Sequence, residues 1–317
     1  MRMAFLFPGQ GSQSVGMLAQ LASASGVVTE TFAEASAVLG YDLWKLTQEG
    51  PAEALNRTEV TQPAMLAAGI ATWRFWSQAG GGAPEIVCGH SLGEFSALVC
   101  AGALKFPTAV ELVRFRAQAM QAAVPQGQGA MAAILGLEDA EVEAACREAA
   151  NGAVVEAVNF NSPSQVVIAG DRAAVLRAID AATARGAKRA VLLPVSVPSH
   201  SSLMQPAAQK LTELLVTTAI ATPSVRYVSA VDAAVHTDPQ DIRALLGRQL
   251  ASPVHWTQAV RAMLASGVNA LIECGPGKVL TGLNRRIERR PDLESFALED
   301  PATVKAALTA SSGAAHA

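Results

Sequence analysis

The sequence is poor in charged and in aromatic residues. Only 16% of its 317 residues are charged, the formal net charge is −3, and aromatic residues make up 5%. Such a balance provides no broad basic surface for nucleic acid or for an acidic membrane. Half of the residues are hydrophobic, which is enough to build one large domain or two modest ones. The composition is that of an ordinary soluble α/β protein, and we expect neither nucleic acid nor a membrane as a partner.

Paired cysteines and long apolar segments are also absent from the sequence. The four cysteines form no C-x-x-C pair and have no nearby set of histidine ligands, so we expect reduced thiols and no metal. No apolar run approaches the roughly 20 residues that a membrane-spanning helix needs. The apolar stretch after Met1 is too short for a signal peptide and is typical of a first strand. We therefore expect a cytoplasmic protein.

A Gly-His-Ser-Leu-Gly pentapeptide at residues 89–93 carries the most specific signal. It follows a short apolar run and precedes a helical pattern, which is the setting of a nucleophile elbow. In that turn the glycines give room for a sharp bend that lifts the serine hydroxyl out of the sheet. N–H groups of the following helix can then stabilise an oxyanion. We predict that Ser91 is a nucleophile, with a structural serine as the alternative.

A serine nucleophile needs a base, and the chain has five histidines. His200 ends the apolar run 191–199 at the point where a strand gives way to a helix, and α/β proteins keep catalytic groups at strand ends. The alternative is a histidine that caps a helix or is satisfied within the core. His90 lies inside the elbow, where the turn would point it away from Ser91.

Arg116 falls on the apolar stripe of a helix predicted over residues 108–122. Burying an arginine without an anionic partner is very costly. The partner is either an internal carboxylate or the carboxylate of a substrate, which a guanidinium can grip through two hydrogen bonds.

A glycine-rich turn at residues 9–13 follows the first strand. It does not fit a dinucleotide-binding loop, because the next glycine is Gly16, and no Walker lysine follows it. We interpret it as backbone brought close to the elbow, where it offers a second oxyanion N–H. Phosphate binding is the alternative.

The order of strand and helix signals changes after a Gly/Pro linker at residues 124–129. Beyond it the order is β-α-β-β-α-β, which is ferredoxin-like. We therefore predict a ferredoxin-like subdomain at 127–196, inserted into a larger α/β subdomain formed by 1–126 and 197–317. The small-residue tail from Ala306 is expected to fray. The predicted elements of the insert are strands at 130–135, 154–158, 165–169 and 190–195 and helices at 139–150 and 171–185.

Taken together, the motifs resemble the malonyl-CoA:acyl carrier protein transacylases of bacterial fatty-acid synthesis, over nearly the whole chain from Phe5 to Arg286. The motifs that carry the resemblance are Phe7-Pro8-Gly9-Gln10-Gly11-Ser12-Gln13, Gly89-His90-Ser91-Leu92-Gly93-Glu94, Arg116 with Met120-Gln121, Asn159-Phe160-Asn161-Ser162-Pro163, Pro198-Ser199-His200 and Glu273-Cys274-Gly275-Pro276-Gly277.

This resemblance implies a hydrolase-like α/β subdomain with the inserted ferredoxin-like one, and a site in the cleft between them. It implies that Ser91 is the acylated nucleophile and His200 its base. It further implies that the main-chain carbonyl of Gln249 orients the histidine, where hydrolases place Asp or Glu. The chain departs from the family near Ser229, where asparagine is common.

Two further elements of the site follow from the resemblance. The backbone N–H groups of Gln10 and Leu92 match the oxyanion hole, and Arg116 matches the residue that clamps the malonyl carboxylate. The reaction is then ping-pong transfer from malonyl-CoA through malonyl-Ser91 to the phosphopantetheine thiol of acyl carrier protein, without a cofactor or metal. We expect a monomer. The alternatives are a sister acyltransferase of malonate decarboxylase or polyketide synthesis, and a serine hydrolase or thioesterase.

Acyl carrier proteins of this family's pathway are acidic, whereas this chain has a net charge of −3, so docking requires a local basic patch. Two pairs are candidates for carrier-protein docking: Lys188 with Arg189, and Arg285 with Arg286. A solvated helix face is the alternative for such residues.

Overall fold

The computed structural model describes residues 1–195 and 197–313. Its strands are β1 (Met3–Phe7), β2 (Ile86–Gly89), β3 (Gly129–Leu135), β4 (Val155–Ser162), β5 (Gln165–Asp171), β6 (Arg189–Leu192), β7 (Arg226–Val228), β8 (Val235–His236), β9 (Ala270–Glu273) and β10 (Glu294–Ala297). They form two sheets, one of six strands in the order β10-β9-β1-β2-β7-β8 and one of four in the order β4-β5-β3-β6.

Helices connect the strands and cover the sheets. They are α1 (Ala19–Ala24), α2 (Val27–Leu39), α3 (Leu43–Glu49), α4 (Ala52–Leu55), α5 (Thr58–Gln78), α6 (Gly93–Cys100), α7 (Phe106–Ala123), α8 (Asp139–Ala149), α9 (Arg172–Ala184), α10 (Gln205–Thr217), α11 (Pro239–Arg248), α12 (Trp256–Ala265), α13 (Val279–Ile287) and α14 (Pro301–Gly313), with short 3₁₀ turns at Ser202–Met204 and Gln249–Ala251. No helix of the described ranges is long and apolar enough to cross a bilayer.

The six-stranded sheet is parallel except for β8, and helices pack on both of its faces. Its central strand β1 is buried along its whole length, as a continuous apolar run in a doubly covered sheet should be. Alternate side chains enter different cores. Phe5 and Phe7 pack with the helices α2, α5 and α7, while Ala4 and Leu6 pack with α12 and α13. The sheet thereby fixes the loops at its carboxyl edge, where β1 and β2 end.

The four-stranded sheet is antiparallel and has the ferredoxin-like strand order that the β-α-β-β-α-β pattern predicts. Helices α8 and α9 cover one face. The other face carries Met131, Val158 and Val167 in a small apolar cluster, with Leu193 and Val195 packed against it. This second face looks onto the loops of the larger sheet. Of the two predicted boundaries of the insert, residue 196 lies outside the described residues, and the division itself stays a prediction.

The predicted elements differ from the observed ones mainly at their ends. The strand predicted to reach residue 195 ends as β6 at Leu192. The Leu193 N–H still donates to the Met131 carbonyl oxygen at 2.8 Å, but Pro194 has no N–H to continue the pairing. The tail predicted to fray from Ala306 is helical as far as Gly313. That prediction was wrong for residues 306–313. Alanine is the best helix former, Val304 and Ala307 are buried, and the Asp300 carboxylate accepts from the Thr303 N–H at the helix start.

Candidate active site

The turn between β2 and α6 places Ser91 above the edge of the parallel sheet. Ser91 has a φ of 53°, a left-handed conformation that a non-glycine residue rarely adopts. The flanking glycines have no space for a side chain. A Cβ on Gly89 would lie 1.9 Å from the carbonyl carbon of Gly93, and a Cβ on Gly93 would lie 2.0 Å from the carbonyl oxygen of Phe7. The geometry is that of a nucleophile elbow, as the pentapeptide predicts.

His200 is brought to Ser91 from 109 residues away in the chain, with its Nε2 atom 2.7 Å from the Ser91 Oγ. Its Nδ1 atom lies 3.0 Å from the carbonyl oxygen of Gln249 and 3.1 Å from that of Ser252. Because both carbonyls can only accept, Nδ1 carries the proton and Nε2 is left to accept one from the serine. The arrangement is a Ser–His dyad oriented by backbone carbonyls.

The environment of His200 keeps its imidazole neutral. Burial, and after it the positive charge of Arg116, lowers the pKa of His200 from 6.5 to about 3. A neutral imidazole is the form that can accept the hydroxyl proton at neutral pH.

Arg116 lies on α7 and is 1% exposed. Its Nη1 atom donates to the Gln62 Oε1 at 2.9 Å, and its Nη2 atom donates to the Gln249 Oε1 at 3.0 Å and to the Ser91 Oγ at 3.2 Å. All of these acceptors are neutral, and in the described part of the chain Arg116 forms no ion pair with a carboxylate. Burial lowers the pKa of Arg116 to about 10, against the charge of Glu94, so the guanidinium stays charged at neutral pH. Its charge is available to an anion beside the serine.

Two residues whose backbone N–H groups are unpaired within the described ranges line the same space. Gly9 lies against the elbow, since a Cβ there would be 2.7 Å from the His90 carbonyl oxygen. The next residue, Gln10, lines the cavity together with Leu92. Within residues 1–195 and 197–313, neither the Gln10 nor the Leu92 N–H donates a hydrogen bond. Both residues of the cavity wall therefore keep an unpaired backbone donor in the described part of the chain.

These groups surround a cavity of about 120 Å³. One wall of the cavity is formed by the elbow, Arg116 and Met120. The other side comes from the insert, through Met131, Leu193 and Val195. The site thus lies between the two sheets.

Both basic pairs predicted for docking have a residue at the same end of the four-stranded sheet. Leu135 of β3 pairs with Arg189 on one side and with Gln165 on the other. Gln165 in turn accepts a hydrogen bond from Arg286. Lys188 and Arg285 are exposed and precede Arg189 and Arg286 in the chain. These four exposed residues, Lys188, Arg189, Arg285 and Arg286, are called the basic cluster below.

Sequence reasoning missed several groups of the site. The Gln62 side chain accepts a hydrogen bond from Arg116 and the Ser252 main-chain carbonyl accepts one from His200, but neither residue belongs to a motif. Glu94 directly follows the elbow and is fully buried, and Ser229 donates to it at 2.7 Å. A carboxylate inside an apolar helix next to a nucleophile motif is a signal that could have pointed to Glu94.

The fold and the site together are those of the α/β enzymes that use a Ser–His dyad at a nucleophile elbow. Comparison with known proteins narrows this class. The chain matches the family model described as "Acyl transferase domain" over residues 4–297. It is 58% identical to the malonyl CoA-acyl carrier protein transacylase of Salmonella typhimurium over 306 residues, which is 96% of this chain and 98% of that protein.

Solved structures agree with this assignment. The chain is similar to an acyl carrier protein S-malonyltransferase from Vibrio cholerae, with a TM-score of 0.93, 55% identity, and coverage of 97% of this chain and 100% of that one. It is also similar to a malonyl-transacylase solved in complex with a type II PKS acyl-carrier protein, with a TM-score of 0.95, 52% identity, and coverage of 98% and 100%. The chain belongs to the malonyl CoA-acyl carrier protein transacylase family of acyl transferases.

Proposed function

We propose that this chain transfers a malonyl group from malonyl-CoA to the phosphopantetheine thiol of acyl carrier protein through a malonyl-Ser91 intermediate. The observation that carries the proposal is the position of Arg116, a buried cation without a carboxylate partner in the described residues, 3.2 Å from the Ser91 Oγ. An acyl group on Ser91 that ends in a carboxylate would supply the missing anion.

In the first half-reaction Ser91 attacks the thioester carbonyl while the His200 Nε2 takes the hydroxyl proton. Negative charge develops on the carbonyl oxygen, where the N–H groups of Gln10 and Leu92 would stabilise it. The tetrahedral intermediate collapses, the thiol of coenzyme A leaves with a proton returned by His200, and a malonyl ester remains on Ser91.

The second half-reaction reverses these roles. The carrier-protein thiol gives its proton to His200 and attacks the malonyl ester, and Ser91 regains a proton as it leaves. The exposed cluster of Lys188, Arg189, Arg285 and Arg286 would attract an acidic carrier protein to the cleft.

Similarity to one solved complex favours a second carrier. One similar enzyme was solved with a type II PKS acyl-carrier protein, so a carrier of polyketide synthesis is a candidate partner beside that of fatty-acid synthesis. Steady-state transfer to each purified carrier, compared by kcat/KM, decides which one the enzyme prefers.

The experiment that tests the function separates the two half-reactions. Enzyme mixed with radiolabelled malonyl-CoA alone should retain label, and addition of carrier protein bearing its phosphopantetheine arm should move that label to the carrier. A carrier without the arm is the control and should receive none. Release of free malonate at the rate of label loss, with nothing on the carrier, would instead identify a hydrolase.

A cytoplasmic location, a monomeric state and the lack of a cofactor remain proposals. All four cysteines are buried and unpaired, which suits a reducing compartment. Cell fractionation, light scattering and assay after dialysis against a chelator test them in turn.

A further inference from the structure

Glu94 is a buried carboxylate that the mechanism above does not use. It is 0% exposed and lies in the first turn of α6, three residues after the nucleophile. Its Oε1 atom accepts from the Ser229 Oγ and from the Ala230 N–H, each at 2.7 Å, and its Oε2 atom accepts from the Gln249 Nε2. Burial raises the pKa of Glu94, while hydrogen bonds from these donors lower it.

Gln249 lies at the centre of the site, and the direction of its side-chain amide is fully determined. Its Nε2 atom donates to Glu94 and, at 2.9 Å, to the Ser91 carbonyl oxygen. Its Oε1 atom therefore faces the other way and accepts from the Arg116 Nη2 at 3.0 Å. If the amide were turned over, two acceptors would face its oxygen and the guanidinium would face its NH₂ group.

We propose that Glu94 is a positioning residue for substrate selection, which acts through Gln249 by holding the amide so that its oxygen faces Arg116. The inference rests on the proposed function, because it assumes that Arg116 receives the carboxylate of the acyl group. Glu94 does not touch the reacting atoms. Its positioning effect reaches Arg116 through the Gln249 side chain, which is itself 1% exposed, in addition to the charge that Glu94 presents to Arg116.

A carboxyl group satisfies all the donors that converge at this position, because both of its oxygens can accept. A glutamine at residue 94 would have to turn its NH₂ group either toward the Ala230 N–H or toward the Gln249 NH₂. The first choice leaves a buried backbone donor unpaired, and the second forces the Gln249 amide to turn over. In the second case Arg116 loses an acceptor and is pushed away from its present position.

The test measures kcat/KM for acylation of the enzyme by malonyl-CoA and by acetyl-CoA, with the ratio of the two as the readout. Glu94→Gln should lower the malonyl-to-acetyl ratio roughly tenfold or more, because only malonyl uses Arg116. Glu273→Gln is the matched control. Glu273 is also a 0% exposed carboxylate, and it accepts hydrogen bonds from the Leu280 and Thr281 N–H groups away from the cavity. Its substitution should leave the malonyl-to-acetyl ratio unchanged.

The route through Gln249 and Arg116 predicts non-additive effects. In an Arg116→Ala background, Glu94→Gln should produce no further change in the ratio. Gln249→Met removes the amide that Glu94 holds and should lower the ratio by itself. If Glu94→Gln does not fold, an unchanged ratio in Gln249→Met overturns the inference. An equal fall for both thioesters, an unchanged ratio, or additivity with Arg116→Ala would overturn the inference while leaving the proposed function intact. Failure of the unmodified enzyme to accept malonyl from malonyl-CoA would instead overturn the proposed function and the inference with it.

Discussion

Ser91 and His200 are joined through Oγ and Nε2 at 2.7 Å, and both residues have left-handed backbones, with φ values of 53° and 68°. Such conformations cost roughly 1–3 kcal/mol each and persist only where the surroundings impose them. The elbow glycines impose the first, and hydrogen bonds to the His200 backbone and ring impose the second, including its N–H to the Leu250 carbonyl at 2.9 Å. Both partners of the dyad are thus held in place by the chain on either side of them.

The elbow should not tolerate a methyl group at Gly93. A Cβ there would meet the Phe7 carbonyl oxygen at 2.0 Å, and backbone of β1 cannot move aside. We expect Gly93→Ala to lower the free energy of unfolding by roughly 3 kcal/mol or more, measured by urea denaturation. Gly282→Ala is the matched control, because Gly282 also lies in a helix but faces open space. It should stabilise by about 0.5–1 kcal/mol, and equal effects of the two substitutions would contradict this account of the elbow.

Arg116 should determine which acyl group is accepted. Arg116→Ala removes the one arginine or lysine among the described residues that line the cavity. Without a cation to pair with the distal carboxylate, malonyl transfer should fall by the equivalent of about 2–5 kcal/mol in kcat/KM. Acetyl transfer should persist or increase, because acetyl has no carboxylate to pair. Parallel assays with malonyl-CoA and acetyl-CoA measure the difference. If transfer of both groups fell alike, Arg116 would be a structural residue.

Acylation should be insensitive to mild acid. The neutral imidazole is the active form of His200, and protonation at low pH removes it. With a pKa lowered to about 3, the ring stays neutral at about pH 5, where a histidine of ordinary pKa would be only about 3% neutral. Single-turnover labelling by malonyl-CoA should therefore be flat from about pH 8 to about pH 5, with circular dichroism as the control for folding. A midpoint near 6.5 would show that burial does not depress this pKa.

The basic cluster at the end of the four-stranded sheet should affect only the second half-reaction. Charge reversal by Arg189→Glu with Arg286→Glu should raise the KM for acyl carrier protein roughly tenfold, more strongly at low salt, while acylation by malonyl-CoA stays unchanged. Lys105→Glu is the matched control, since this exposed lysine precedes α7 and stands apart from the cluster. A fall in both half-reactions, or an unchanged KM, would exclude the cluster as the docking site.

Much of the site could be predicted because short local sequence patterns indicate the nucleophile elbow and the buried arginine. The elbow needs two glycines around Ser91 within a strand–turn–helix, and Arg116 interrupts an apolar stripe, so both features are visible within short windows of sequence. The β-α-β-β-α-β order of the insert could likewise be read from alternating apolar runs.

What the sequence did not reveal depends on contacts between distant residues. Glu94 meets Gln249 and Ser229 across 155 and 135 residues, and no local pattern predicts which buried polar groups will satisfy one another. The strands β7, β8 and β10 are two to four residues long, too short for a periodicity to be recognised. They form because neighbouring strands provide edges to pair with: β2 for β7, β7 for β8 and β9 for β10.

The most direct measurement is to locate the acyl group on the protein. The enzyme is incubated briefly with malonyl-CoA, quenched in acid, digested, and mapped by mass spectrometry, with Ser91→Ala treated in parallel. The account predicts one malonyl adduct, on the peptide that contains Ser91, which disappears when acyl carrier protein with its phosphopantetheine arm is added before quenching. It predicts no adduct on Ser91→Ala. An adduct at another residue, or one that survives in Ser91→Ala with transfer to the carrier intact, would contradict it.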